Sequence, residues 1–337
     1  MNYLLNILVG LLFCSSVFAE SNSIGIEMVS IKSGEFEMST GGESRELRDL
    51  YFPLCNTNAL INEENSSFKA VLTKGFFISQ NEITVGQFKE FVKSTSYKTE
   101  AEKSGKGIVA FNPAKHDKSW AKGQWKHFFE TDKTKNWKNP GFPQDDFHPV
   151  VGVSWNDAKA FCNWLSKKEG KKYRLPTEAE WEYTCRAGTK TFFSFGDKIR
   201  DVIHTKANIG NVELEKKYPD MIQRQWLLDI KKEKGDKFLF TAPVGSFPAN
   251  QWGLNDMHGN VWEWCEDYYN QFTYKQFNKK TATDLLNTKK ENEFAELRIV
   301  RGGSWYNGPM VVRSAARGFF DAPDAASYIG FRIVKEK

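Results

Sequence analysis

The 337 residues are 40% hydrophobic and 26% charged, enough apolar material for a sizeable buried core and far from a disordered composition. The net charge of +5 comes from 47 Lys and Arg scattered among 42 Asp and Glu, which describes a solvated surface and excludes a nucleic-acid-binding stripe. Aromatic residues make up 15%, with 11 Trp and 27 Phe, a load that suits loop-rich folds packing large rings better than helix bundles.

The chain opens on an apolar run from Tyr3 to Ala19, broken by Asn6 and ending Val17-Phe18-Ala19. The run is too short to span a bilayer, and its ending reads as a signal peptide, residues 1–19, cleaved after Ala19, although no Lys or Arg precedes it. Bulky Phe13 argues against acylation of Cys14, so soluble export to the periplasm or the exterior is expected, with no stable membrane insertion after cleavage. An oxidising compartment would permit two disulfides among Cys55, Cys162, Cys185 and Cys265, in a connectivity that sequence does not give. There is no CxxC and the five His are isolated, which excludes a zinc ribbon, an HExxH site and a two-His-one-carboxylate centre.

Residues 27–39 alternate around Gly34 and predict a β-hairpin, followed by an irregular polar stretch over 40–67. Thr84 and Gln87 form a capping box, and Phe88, Phe91 and Val92 follow at helical spacing, predicting an amphipathic helix. Residues 100–147 have no period and predict a long ordered loop held by Trp120, Trp125 and Trp137. A second helix is predicted over 156–169 with Gly170 as its C-cap, and a third from the Thr177/Glu180 capping box to near Gly188. From residue 190 onward short strands and turns are expected, including 298–301 and 328–334, with a Lys-rich surface insertion over 211–235. The sum is one loop-rich α+β domain, two main helices on small antiparallel sheets.

Several phrases resemble the formylglycine-generating enzyme, or sulfatase-modifying factor, family. They are Thr99-Glu100-Ala101-Glu102-Lys103, the run Pro149 to Ala158 around Val153-Ser154-Trp155-Asn156, and Arg174-Leu175-Pro176-Thr177-Glu178-Ala179-Glu180-Trp181-Glu182-Tyr183. Gly259-Asn260-Val261-Trp262-Glu263-Trp264, Arg301-Gly302-Gly303-Ser304-Trp305 and Ile329-Gly330-Phe331-Arg332 follow in the family's order. The resemblance covers residues 27–337 and implies the formylglycine-generating-enzyme variant of the C-type lectin fold, stabilised by metal ions.

Calcium takes six to eight hard oxygens from carboxylates, amides and backbone carbonyls, which irregular loops supply. The resemblance implies two structural calcium sites. The first comprises Asn208, the carbonyl of Ile209, Asp236 and the carbonyl of Phe238; the second comprises Asp256, the carbonyls of Gly259 and Val261, and Glu263. The plain alternative is that Asp256 and Glu263 are ordinary turn or surface acids.

In the family's oxidases two thiolates beyond the Gly-Gly-Ser element hold copper(I), a soft metal that selects sulfur. Here Ser304-Trp305-Tyr306-Asn307-Gly308-Pro309-Met310 contains no cysteine, and Asn307 stands where the first thiolate would be. Copper is therefore not expected, nor is formylglycine synthesis by that mechanism. Cys162 and Cys185 match structural disulfide positions of the enzymes whose partners here are Ile333 and Ser314, so buried thiols or new pairings are expected. The iron-binding His-x3-His-x-Glu module of ergothioneine-type relatives is absent.

Three functions remain. In the first, a pocket of Ser304, Trp305, Tyr306 and Asn307 binds a peptide or small ligand. In the second, the same pocket oxidises a small molecule or peptide, as in periplasmic relatives of siderophore maturation; an enzyme of this kind would be a metal-dependent oxidoreductase. In the third, Tyr306 to Tyr328 forms the contact face of a lectin-fold variable protein diversified by a retroelement, with Tyr306, Asn307, Phe319, Phe320, Asp321, Ser327 and Tyr328 exposed. Arg313, Arg317 and Arg332 suit either a ligand's carboxylate or the domain's own acids.

Overall fold

The computed structural model describes residues 19–39, 66–113, 128–197, 202–218, 235–277, 279–290 and 296–337. Residues 1–18 of the expected leader, Cys14 among them, and Cys55, Trp120 and Trp125 lie outside them. The chain begins with β1 (Ala19–Ser21), β2 (Glu27–Ile31), β3 (Gly34–Met38), β4 (Phe68–Leu72) and β5 (Phe76–Ser79). The predicted hairpin over 27–39 is not formed: β2 pairs with β5 and β3 with β4, both antiparallel. Alternation marks the strands, but Lys32-Ser33 interrupts one long arm instead of reversing it, and the partner arm lies some forty residues on.

Helix α1 (Val85–Thr95) starts at the predicted capping box, where Gln87 N donates to Thr84 Oγ1 at 3.2 Å and Thr84 N to Gln87 Oε1 at 3.0 Å. The predicted loop over 100–147 contains regular structure: α2 (Glu100–Ser104), capped by Thr99 and Glu102, and β6 (Ile108–Phe111) paired antiparallel with β7 (Phe129–Asp132). Trp137 is buried against Phe88, ring centroids 5.1 Å apart, as a pin for this segment. Helix α3 (Trp155–Glu169) ends at Gly170 with φ 63°, the left-handed cap its sequence predicts. Next come β8 (Tyr173–Arg174) and α4 (Glu178–Arg186), boxed by Thr177 and Glu180 and closed by Ala187. The predicted insertion opens with α5 (Val212–Lys217), capped by Asn211; residues 219–234 lie outside the described set.

The C-terminal part carries β9 (Trp262–Tyr268), α6 (Thr273–Phe277), β10 (Thr281–Thr283), β11 (Leu297–Arg301), β12 (Arg317–Asp321), β13 (Ile329–Gly330) and β14 (Val334–Glu336). The strand expected over 328–334 is thus split between two sheets. A five-stranded sheet has the order β1-β2-β5-β14-β8, a four-stranded one β12-β11-β9-β13, and smaller ones β10-β4-β3 and β6-β7. The sheets are not purely antiparallel: β10 runs parallel to β4 and β13 to β9, pairings that long crossovers permit and hairpins do not. Helices α1 and α3 pack Phe88, Phe91 and Phe161 together in the main core, where Phe88 and Phe161 also meet Phe331. Each such ring contributes roughly 1.5–3 kcal/mol of hydrophobic stabilisation. No helix among the described residues is long and apolar enough to cross a membrane.

Candidate functional site

Strand β11 delivers the chain into Gly302 and Gly303, both at positive φ. At Gly303 a Cβ would lie 2.4 Å from Val312 Cγ1, so the turn is open only to glycine. Beyond it Ser304 N and Oγ donate to Asn307 Oδ1 at 3.0 and 2.9 Å, and Gly210 N donates to the Asn307 carbonyl at 2.9 Å. The Asn307 amide oxygen, at the position where the resemblance would place a thiolate, is therefore committed inside the loop. Trp305 is buried among Phe111, Phe142 and Phe240, with its indole Nε1 unpartnered. Tyr306 and Tyr328 are half-buried, ring centroids 5.0 Å apart, and Phe129 packs on both. Burial pushes the Tyr328 phenol up to about 12 and holds Tyr306 well above the ordinary phenol range, so the pair is a neutral hydrogen-bonding face and not a base.

The remaining predicted ligand residues separate. Phe319 is 42% exposed on β12, its ring 4.2 Å from that of Tyr269. Phe320 and Asp321 are half-buried, whereas Ser327 is fully buried and so is not part of an exposed face. Arg313 and Arg317 turn inward. Arg313 Nε donates to the Met310 carbonyl at 2.7 Å, and Arg317 clasps Glu178 through Nε (2.7 Å) and Nη2 (3.1 Å). Arg332 is fully buried and clasps Glu263 through Nε (2.6 Å) and Nη2 (2.8 Å). These guanidinium groups hold the protein's own acids and carbonyls, which leaves the loop face to Tyr306, Asn307 and Tyr328.

Beneath that loop Ile209 and Phe238 of the first predicted site are linked by hydrogen bonds to Asp236, with Asn211 Nδ2 also donating to Asp236 Oδ1 and, at 2.7 Å, to the Phe238 carbonyl, and in the second Asp256 and Glu263 lie within electrostatic reach of each other. Gly259 sits at φ 88°, where a Cβ would meet the Asn208 carbonyl at 2.1 Å, so glycine lets the two candidate sites touch. In the first, Asp236 is 6% exposed, accepts from Ile209 N at 3.1 Å and from Phe238 N at 2.9 Å, and is pushed by burial up to about 7. Asn208 Oδ1 beside it is buried and unpartnered. In the second, both Glu263 oxygens are taken by Arg332, and Oε2 also accepts from Trp181 Nε1 at 2.7 Å. The open oxygens are Asp256 Oδ1 and Glu82 Oε2, both buried without a partner.

Glu82 escaped the sequence reading because it stands in the short polar step Gln80-Asn81-Glu82 before the Thr84 cap, where nothing local marks it as buried. It is 1% exposed and held well above the carboxylate range by burial and by the neighbouring Asp256 and Glu263. Three carboxylates thus face one guanidinium, and either a proton shared by Glu82 and Asp256 or a cation must neutralise the excess. Among the described residues no three His, Cys, Asp or Glu side chains converge at metal-ligand spacing, so a cation here would also draw on amide and backbone oxygens, the mixture calcium accepts.

Cys162, Cys185 and Cys265 are free and buried. Burial pushes Cys162 and Cys185 up to about 12 and Cys265 well above the ordinary thiol range, so none is a thiolate near neutral pH. Titration with a thiol reagent on folded protein should leave all three unmodified and expose them in denaturant; rapid labelling of any of them before unfolding, mapped by mass spectrometry, would contradict this placement.

The loop-rich α+β layering, with two helices on small sheets and a Gly-Gly-Ser-Trp loop over an acid-rich framework, defines a formylglycine-generating-enzyme type of C-type lectin fold. The family model of the sulfatase-modifying factor enzyme 1-like domain matches residues 15–337, and the chain belongs to that family. It is 32% identical over 327 residues to the formylglycine-generating enzyme of Mus musculus, covering 92% of this chain and 75% of that protein. It is 30% identical over 330 residues to the inactive C-alpha-formylglycine-generating enzyme 2 of Bos taurus, covering 92% and 88%. PvdO from Pseudomonas aeruginosa shares the fold with a TM-score of 0.66 and 26% identity over 95% of this chain and 98% of its own. Treponema denticola variable protein 1 shares it at 0.58 and 16% identity, covering 95% and 99%.

Proposed function

We propose that this protein is an exported member of the family that binds a peptide or small ligand on the Tyr306–Asn307–Tyr328 face and does not generate formylglycine. The observation that carries the reading is the Asn307 side chain, whose amide oxygen is held by Ser304 N and Oγ where copper(I) would need sulfur. Calcium at the two sites beneath would supply charge neutralisation and loop order, with Asn208, Asp236, Asp256 and Glu82 as the oxygens that fit it best. The family contains both formylglycine-generating enzymes and a relative named inactive, so loss of this chemistry on a retained framework has precedent.

The test is incubation of the purified protein with copper(I), oxygen and a sulfatase-derived cysteine peptide. The expected result is an unchanged thiol by mass spectrometry, with peptide binding detected through quenching of Trp and Tyr fluorescence; conversion of the thiol to an aldehyde would sink the proposal. A second reading, oxidation of a small molecule, draws on the similarity to PvdO across nearly the whole chain. Transition metal retained after dialysis, together with substrate-dependent oxygen uptake, would favour it over pure binding.

A further inference from the structure

We infer that Asn260 is a positioning residue that couples the two cation sites, so that an ion in one pre-orients the oxygens of the other. The inference rests on the calcium reading above and adds to it a communication route through one side chain. Asn260 is fully buried and sits at φ 61°, a left-handed conformation that asparagine tolerates better than most residues. Its position between Gly259 and Val261 places it inside the second site's ligand run. Every polar atom of its side chain and backbone has a partner.

The orientation of its amide is set by those partners. Ala242 N can only donate, and it donates to Asn260 Oδ1 at 2.9 Å, which leaves Nδ2 on the opposite side. The same Oδ1 accepts from Asn208 Nδ2 at 2.9 Å, and Nδ2 donates to Glu82 Oε1 at 3.0 Å. Asn260 N adds a bond to the Asn208 carbonyl at 2.8 Å, and Trp305 N donates to the Asn260 carbonyl at 3.0 Å.

One planar group therefore grips a residue of each site. Asn208, held through Nδ2, has its Oδ1 fixed, buried and unpartnered; Glu82, held through Oε1, has Oε2 fixed, buried and unpartnered. Asn208 Oδ1 and Glu82 Oε2, which with Asp256 Oδ1 are the oxygens left open for a cation, are the distal atoms of the two side chains that Asn260 holds. An ion that draws Asn208 Oδ1 in the first site tightens the Asn208–Asn260 bond, rotates no other group, and presents Glu82 to the second site already ordered. Ordering paid once is not paid again, and this makes binding at the two sites mutually favourable.

The experiment is calcium titration of the full chain by calorimetry, with terbium luminescence sensitised by Trp as a second readout. Asp236→Asn disables the first site and Asp256→Asn the second. Coupling is read as the change in affinity of the surviving site when its neighbour is disabled, and about fivefold or more is expected. In Asn260→Ala that factor should fall to about one. Because loss of every bond at a buried residue can prevent folding, Asn260→Asp is the second variant: it keeps the acceptor for Ala242 and Asn208, removes the donor to Glu82, and should also abolish the coupling. A merely structural residue would lower stability in chelator and leave the factor intact. Two bound ions with no coupling in the wild type, or coupling that persists in both Asn260 variants, overturns this inference and leaves the calcium reading standing. No calcium binding in the wild type overturns both.

Discussion

Arg332→Ala should be strongly destabilising, costing about 3–5 kcal/mol, the range for removing one partner of a buried ion pair. The guanidinium is fully buried, pairs with both oxygens of Glu263, and donates to the carbonyls of Ser79, Gln80 and Asn255 at 2.9 to 3.2 Å. Its loss leaves Glu263 buried and unneutralised beside Glu82 and Asp256. It also unties the approach to β14 from the end of β5, where Ser79 and Gln80 lie. A loss of this size is a large share of the 5–15 kcal/mol that holds a typical domain together. The expected readout is a melting point lower by roughly 5–10 °C, or failure to accumulate as soluble protein. Lysine should rescue little, since one ammonium cannot match both carboxylate oxygens and three carbonyls. A shift of less than about 2 °C for Arg332→Ala would show that the carboxylate cluster is neutralised by other means.

What could be read from the sequence divides along the range of the interactions. Capping boxes at Thr84/Gln87 and Thr177/Glu180 and the glycine cap at Gly170 were legible because donor and acceptor lie within one turn of chain. The two helices and the β11 strand followed. Pairing was not legible: the alternation over 27–39 marks two strands, but nothing local says that Val29 faces Ile78 and Phe36 faces Ala70. The same limit hid the β6–β7 hairpin, whose strands are four residues each.

The site shows the same division. The absence of cysteine between Ser304 and Met310 is a local fact, visible in the string itself. Whether an arginine serves a ligand or the fold depends on its distant partner, and Arg317 finds Glu178 from 139 residues away. Glu82 joins Asp256 and Glu263 only through packing, so no spacing rule over residues 256–263 could include it. In the sequence Asn260 is only one residue of the Gly259-to-Trp264 phrase; its role follows from which atoms face Ala242, Asn208 and Glu82.

On the proposed calcium reading, the stabilisation that calcium confers should grow with pH between about 5 and 8, and its sign follows from the buried acids. With calcium chelated, burial pushes Asp236 up to about 7 and Asp256 up to about 6, with Glu82 raised as well, whereas in the unfolded chain such groups titrate near 4. The folded chelated state thus binds protons that the unfolded state releases. Its stability is fully present below pH 4 and is lost as pH rises through 6 to 7. For Asp236 alone the gap is on the order of 4 kcal/mol, at 1.36 kcal/mol per pH unit. A bound divalent cation removes that loss by favouring the ionised carboxylates. His258, pushed down to about 4 by burial, loses stability in the opposite direction, as pH falls below 6.5, and Asp267, pushed up to about 7, does so as pH rises. Neither contributes a ligand to the proposed sites, so both cancel when melting curves in calcium and in chelator are subtracted at each pH. The difference should be small at pH 5 and several degrees at pH 8. A difference that is flat across this range, or that shrinks as pH rises, would mean that these carboxylates are neutralised by protons alone and that the framework beneath the Ser304–Asn307 loop holds no ion.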